Sequence, residues 1–399
     1  MLHENLIEDA RAIASELVTL RRAIHAEPEL GLHTPKTRDK VRMALAHLPL
    51  DWREGPSTTG LIAVLKGGAG DGRRVLLRGD MDALPMPEET GLDFASQVSG
   101  AMHACGHDAH TAMLAGAAEL LAKRAASLKG EVLFMFQPGE EGHHGARFML
   151  DDGIIDPLPD AAFALHVFPN APHGTLGGRA GPLLASADQF TISVKGRGGH
   201  ASLPHETLDP VPVACEIVTA LQAMVTRKFS VFDPVVLTVA RIGGGTTFNV
   251  VPDSAEIEGT MRSLSAESRQ RLRDNLQLIA AGIAGAHGMT AEIDVEEGCP
   301  VTVCDGRAVA LGQKVATGLF GADSFLSLDN PVMGAEDFSY VLEKVPGAMF
   351  FLGASHEGED WTQCCGIHST RMMLDEAVLP RGAAMLAGLA EAFLANGFD

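Results

Sequence analysis

The stretch Glu131-Val132-Leu133-Phe134-Met135-Phe136-Gln137 runs straight into Pro138-Gly139-Glu140-Glu141-Gly142. Its unbroken apolar centre has the length and composition of a strand buried on both faces, which is the hallmark of a parallel sheet. A proline and two glycines then end the strand in a turn. Glu140 and Glu141 sit in that turn as adjacent, mutually repelling carboxylates. Such a pair at the end of a buried strand is costly unless cations lie close by.

The same arrangement recurs on either side. Arg74 to Arg78, centred on Val75-Leu76-Leu77, reads as a buried strand and is followed by Gly79-Asp80-Met81-Asp82. Ala161 to Leu165 reads as a third strand ending at His166. Helical patterns separate them: one amphipathic helix over residues 6 to 25, and an Ala/Leu/Met-rich helix from Thr111 to Ser127. This alternation predicts an α/β fold whose mixed, largely parallel sheet is flanked by helices. Each apolar run is followed by polar, ionisable side chains. Open α/β sheets place their sites there, beyond the carboxyl ends of the strands.

From about residue 186 the texture changes. Gln189 to Lys195 alternates like a half-buried strand, and a helix follows from about Asp209 to Arg227. Strands near Val235 to Arg241 and Ala255 to Arg262, a helix over Ser265 to His287 and a strand at Ala291 to Val295 complete a β-α-β-β-α-β order. That order describes an inserted, ferredoxin-like α+β domain. The expected organisation is a first catalytic part at 1–185, the insertion at 186–299, and a second catalytic part at 300–399. The last part carries a helix near Arg307 to Leu319, a strand at Ala348 to Leu352 and a closing helix near Leu379 to Leu394.

Composition narrows the function. The chain has 399 residues, 46% hydrophobic and 21% charged, with 31 basic and 51 acidic residues and a net charge of −20. That charge repels phosphate backbones and anionic lipid, so neither nucleic acid nor membrane is an expected partner. Six cysteines at 105, 215, 299, 304, 364 and 365 form no C-x-x-C pair. The start, Met1-Leu2-His3-Glu4-Asn5, lacks a signal peptide's apolar core, and the apolar segment Ala383 to Ala395, interrupted by Glu391, reads as too short to span a bilayer. A cytoplasmic, reduced protein is expected.

Met102-His103-Ala104-Cys105-Gly106-His107-Asp108-Ala109-His110 carries the densest chemistry. Taken alone, it could be a small buried cysteine beside surface histidines. Next to the other clusters it reads as a metal site, because a thiol, imidazoles and carboxylates are what a divalent transition metal selects. Cys105 and His107 are placed in a turn before a helix near Thr111, where the helix N-terminus would favour the thiolate. Asp80 and Asp82 fit three roles: capping a turn, holding metal, or orienting an imidazole through its second ring nitrogen. His143 and His144 read as loop residues or as supports behind the ligands, rather than as ligands. A lone His166 on a core strand would be an ordinary hydrogen-bonded residue, but three strands ending alike overturn that. The doubled glutamate adds a carboxylate that can move protons beside one that can hold metal, which points to metal-assisted hydrolysis. No G-x-S-x-G, H-E-x-x-H or G-x-x-x-x-G-K-[ST] occurs, and Gly243-Gly244-Gly245 reads as a turn.

Eight motifs in order carry a family resemblance. They are Arg22 to Gly31, Arg78 to Pro85, Met102 to His110, Gln137 to Gly142, Gly196-Arg197-Gly198-Gly199-His200-Ala201-Ser202, Phe248-Asn249-Val250-Val251-Pro252, Met333-Gly334-Ala335-Glu336-Asp337-Phe338, and His368-Ser369. Over essentially its whole length the chain resembles the aminoacylase, hippurate hydrolase and indole-acetyl-amino-acid hydrolase branch of the carboxypeptidase-type dinuclear metallopeptidases. The resemblance implies a zinc-peptidase-like fold and two divalent ions per subunit, zinc or manganese first and cobalt or nickel after them. Cys105 would bridge the ions, with His107, Glu141, His166 and His368 as the other ligands and Glu140 as general base and acid. It implies that the insertion is a lid and dimerisation domain of a homodimer or larger homo-oligomer. His200 would steady the oxyanion, often in the partner's centre, and Asn249 and Arg262 would bind the substrate's carboxylate.

The implied reaction is cleavage of an N-acyl amino acid, such as hippurate or an N-acetyl amino acid. A carboxypeptidase or dipeptidase of the same superfamily is the nearest alternative, and a non-catalytic metal-dependent binding protein a further one. Trp361-Thr362-Gln363-Cys364-Cys365, just before His368, departs from the family pattern.

Overall fold

A computed structural model describes residues 5–399. The charged start read as lacking a signal peptide falls, but for Asn5, outside them. The chain divides into two compact units. One comprises the chain up to Leu183, Val303–Asn330 and Asp337–Asp399; the other comprises Leu184–Thr302 and Pro331–Glu336.

The first unit is built on an eight-stranded sheet. Its labelled strands are β1 (Asp51–Glu54), β2 (Leu61–Lys66), β3 (Arg74–Asp80), β4 (Glu131–Gln137), β5 (Ala161–Phe168) and β6 (Leu176–Gly178). The spatial order is β1-β2-β4-β3-β5, then Gly347–Gly353, β6 and Phe325–Ser327. β4, β3, β5 and Gly347–Gly353 run parallel, each to its neighbour, while β1 and β2 form an antiparallel margin. The parallel strands are buried almost throughout, as their unbroken Val, Leu and Phe runs require.

Several boundaries shift for physical reasons. The expected single helix over 6–25 is two, α1 (Leu6–Ala12) and α2 (Ala14–His25). At the join the Ile13 N–H bonds to the Ala10 carbonyl, three residues back rather than four. After α3 (Pro35–Ala44), helix α4 spans His107–Ala122, beginning well before Thr111. Gly106 makes the early start possible. It adopts φ 91°, and a Cβ there would lie 2.4 Å from a Val167 methyl. β5 continues past His166 because Val167 and Phe168 still pair, with Leu352 and Gly353. The closing helix, Leu379–Asn396, sits in a stretch (Glu376–Asn396) that is long and apolar enough to cross a bilayer by length and composition, contrary to the shorter segment read from sequence. Most of it is buried within the protein, so its apolarity serves the core, and Glu391 meets Arg124 at 3.2 Å.

The second unit is a four-stranded antiparallel sheet in the order Val235–Gly244, Ser254–Ser263, Ser186–Lys195, Thr290–Glu297. Helices Pro210–Lys228 and Ala266–Ala286 pack on it through Leu221, Leu272 and Leu276, against Phe190, Ile192 and Ile257. Asp209 and Ser265 cap the two helices by accepting from the N–H groups of Val211 and Ser268. Pro331–Glu336 joins this unit because the Ala185 N–H bonds to the carbonyls of Val332 and Gly334.

Candidate metal centre

β3, β4 and β5 end side by side, and the site grows from those ends. Cys105 Sγ lies 3.4 Å from His166 Nε2. The ligand atoms of Cys105, His107 and His166 fall within 4.8 Å of one another. So do those of Cys105, Glu141 and His368. All five residues expected as ligands are therefore gathered, in two groups that share the one sulfur. Glu140 is beside them, its Oε2 4.0 Å from His107 Nε2.

Each imidazole is set by what its other nitrogen does. His107 Nδ1 is 2.8 Å from the Asp82 carbonyl, and His166 Nδ1 is 2.8 Å from that of Val167. Both Nδ1 atoms therefore donate, which turns both Nε2 atoms to the centre. His110 is fully engaged elsewhere: Nδ1 donates to Asp80 at 2.7 Å and Nε2 accepts from the Val167 N–H at 2.9 Å. His368 is the outlier, with its side chain half exposed and its backbone at φ 63°. Its N–H donates to the Ala104 carbonyl at 2.7 Å, and its Nε2 lies 3.2 Å from Glu141 Oε1. A non-glycine residue held in the left-handed region is a strain that functional sites commonly store.

The glutamate turn has its own support. The Asp82 carboxylate accepts from the backbone N–H groups of Glu140 and Glu141, at 2.9 and 3.0 Å. Of the roles open to the two aspartates, Asp82 thus orients His107 through its carbonyl and holds the turn through its carboxylate. Asp80 is taken up by Arg78 at 2.6 Å and by His110. Behind them, Arg78 and Gln137 both donate to Asp337, which also accepts from the Ala146 N–H. Arg78, Gln137 and Asp337 lay within motifs noted in the sequence but had no assigned role; only their burial reveals it. On the other side of α4, Asp108 accepts from Arg21 at 2.7 Å and His25 at 2.8 Å, and His25 reaches Glu88 at 3.2 Å. His143 packs against Gly31, and His144 lies 3.3 Å from the Tyr340 hydroxyl, so both are loop residues.

The donor set fits divalent metal. His107 Nε2 is buried with no hydrogen-bond partner, and an unpaired buried polar atom is costly. Burial works against charge on His107, yet Asp80 and the Cys105 sulfur outweigh it and hold its pKa well above the usual value. The pocket is short of positive charge. Burial, with His110 adding to it, keeps His166 well below its ordinary value and so neutral, as a ligand must be. Burial pushes the Cys105 thiol up to about 12, against the pull of His107. The helix N-terminus therefore does not produce a thiolate by itself, as the sequence had suggested; a bound cation would have to.

His200, Asn249 and Arg262 belong to the second unit. His200 and Asn249 are neighbours: Gly199–His200 pairs with Val250–Val251, and the Ala201 N–H donates to the Asn249 carbonyl. The Ser202 N–H donates to His200 Nδ1 at 3.2 Å, which puts the imidazole proton on the exposed Nε2. Arg262 donates to Thr260 and to the Met261 carbonyl, and burial lowers its pKa. It pairs in register with Ala187, whereas the end of the sheet nearest His200 is marked by the pair Ser254–Lys195. The two ends are separated by roughly 26 Å at about 3.3 Å per residue.

A parallel sheet with clustered metal-ligand side chains at its carboxyl end defines a metallohydrolase of the peptidase type. The chain belongs to Peptidase family M20/M25/M40, whose sequence model matches residues 76–392. It is 39% identical to an N-acetylcysteine deacetylase of Bacillus subtilis, over 95% of this chain and 97% of that one. It is 38% identical to thermostable carboxypeptidase 1 of Saccharolobus solfataricus, over 98% and 99%. A solved Bacillus subtilis structure, described as a dinuclear metal binding peptidase, superposes with a TM-score of 0.83 at 36% identity, covering 96% of this chain and 99% of that one. The protein is a metal-dependent peptidase or amidohydrolase.

Proposed function

We propose that this enzyme cleaves the amide bond of N-acyl amino acids, hippurate-like or N-acetylated, giving a carboxylic acid and a free amino acid. The observation that carries the reading is the pair of ligand groups sharing Cys105, with Glu140 beside them. Cys105, His107, Glu141, His166 and His368 would hold two divalent ions. Ions there would supply Lewis acidity, lowering a water's pKa towards neutrality and polarising the amide carbonyl. The thiol and imidazoles favour zinc, and manganese, cobalt and nickel remain compatible with the mixed donor set.

Glu140 takes the proton of the attacking water and hands it to the departing amine, acting as base and then acid. His200, with Nε2 protonated, donates to the oxyanion of the tetrahedral intermediate. Asn249 and Arg262 hold the substrate carboxylate. Because they mark opposite ends of one sheet, a carboxylate held by both would draw them from two subunits. This supports a homodimer or larger assembly in which the second unit serves as lid and dimerisation domain. All six cysteines are free thiols, as suits a reducing, cytoplasmic setting.

The carboxypeptidase relative favours a second reading, cleavage of peptides. Kinetics on hippurate, N-acetyl amino acids, indole-acetyl conjugates and dipeptides, with and without chelator, separate the two. Chelator-sensitive turnover of N-acyl amino acids above dipeptides is the expected result. Preference for dipeptides would replace the reading, and no turnover on any of them would overturn both.

A further inference from the structure

β5 does not stop at its candidate ligand. Two residues beyond His166, on the same face of the strand, stands Phe168, the one half-buried residue of an otherwise buried β5. Its ring centroid lies 5.1 Å from that of His166, tilted by 40°. Phe351, the register partner of His166 on the neighbouring strand, backs it edge-to-face at 4.6 Å. The pair is thus fixed to the rigid sheet. Two residues further on, the side chain of Asn170 lies against Gly366, two residues before His368. Phe168 therefore stands next to the centre on the stretch of chain that leads from one candidate ligand towards the loop bearing another.

We propose that Phe168, backed by Phe351, forms the wall that receives the substrate's acyl group and favours an aromatic or bulky apolar acyl over acetyl. This rests on the N-acyl amino acid reading. The amino-acid half of such a substrate carries a carboxylate and needs polar partners, which Asn249 and Arg262 offer. The acyl half carries no charge, and the uncharged, partly open face beside His166 matches it. An amide carbon at the centre brings its acyl substituent within reach of a ring about 5 Å from the ligating imidazole. Offset and edge-to-face ring pairs add attraction beyond area burial, and apolar pockets discriminate by about ten-fold or more for small changes in the occupant.

The test compares benzoylglycine with acetylglycine on the metal-loaded enzyme and its Phe168→Ala and Phe168→Leu variants. Metal content is measured alongside. Phe168→Ala should lower the benzoyl-to-acetyl ratio of kcat/KM by about ten-fold, with Phe168→Leu intermediate and metal content maintained. An unchanged ratio would overturn the proposal. So would an equal fall on both substrates accompanied by metal loss, because Phe168 would then only support His166. A second arm measures binding of benzoylglycine and acetylglycine to metal-loaded Glu140→Gln by calorimetry, with and without Phe168→Ala. If the wild type hydrolyses neither compound but this preference for benzoylglycine exists and vanishes with Phe168→Ala, the wall stands and the hydrolase reading falls. If no such preference exists, the wall falls whatever the reaction.

Discussion

The metal-ligand cluster of the first unit and the polar tip of the second are built on opposite terms. Around Cys105 the imidazoles of His107, His110 and His166 are each anchored through Nδ1, the Asp82 carboxylate holds the glutamate turn, and Asp80, Asp82, His107 and His110 are buried. His200 and Asn249 are exposed, and among the described residues their side chains are bonded only locally, to Ser202 and Thr247. A centre that must hold cations at fixed spacing is preorganised within its own unit, since buried polar groups persist only when satisfied. His200, proposed above as the oxyanion donor, is held loosely by contrast, and its local bonds fix little beyond which nitrogen carries the proton.

The widest test of this contrast uses one residue from each side. Glu140→Gln keeps the shape of the turn and removes the proposed base, so kcat should fall by roughly two to four orders of magnitude with metal content unchanged. His200→Ala should lower kcat by roughly two to three orders, as lost oxyanion donors do, while leaving both metal content and thermal stability in place. Single-turnover kinetics and elemental analysis on both variants check this. Loss of metal from His200→Ala would break the division of labour.

A smaller effect concerns pH. Burial works against a charged His25, but Asp108 and Glu88 more than compensate and raise its pKa to about 9. A pKa raised on folding contributes stability that is complete below the unfolded value near 6.5 and is lost as pH climbs through about 9. The shift corresponds to roughly 3 kcal/mol. Glu88, lowered to about 2 through its bonds to His25 and Thr90 despite burial, gives the opposite limb. Its contribution is present above about 4.5 and lost towards pH 2. Thermal unfolding should therefore show a melting temperature that falls between neutral and strongly alkaline pH, and His25→Gln should flatten that fall. The exposed Arg241–Glu258 pair of the second unit is screened by solvent and should leave no such limb.

The sequence disclosed the sheet and the ligand-bearing turns because both are local. Val132 to Phe136 can only be a buried strand, and a Glu140-Glu141 pair at its end is unusual without cations nearby. His368 was legible only through resemblance. Its loop has no periodicity, and its position depends on a left-handed backbone and one bond to Ala104. The Arg78–Gln137–Asp337 network was invisible because Asp337 lies 259 positions from Arg78 and 200 from Gln137, and nothing local distinguishes a buried Arg from an exposed one. The early start of α4 depended on Gly106 passing beside Val167, a contact that exists only once β5 has paired.

Asp82 gives the finest test. Its carboxylate is the sole support named above for both glutamate N–H groups, while its carbonyl, which no side-chain substitution removes, orients His107. Asp82→Ala should therefore loosen the turn without rotating the imidazole. Partners of ligands typically contribute ten- to a hundred-fold in metal affinity, so about that loss is expected in chelator competition. Asp82→Asn keeps one acceptor oxygen and should fall between. The weaker binding should reside in the Glu141–His368 group, leaving the Cys105–His107–His166 group tighter and titrating first. Simultaneous loss from both groups would mean that the shared sulfur couples them more strongly than the glutamate turn divides them.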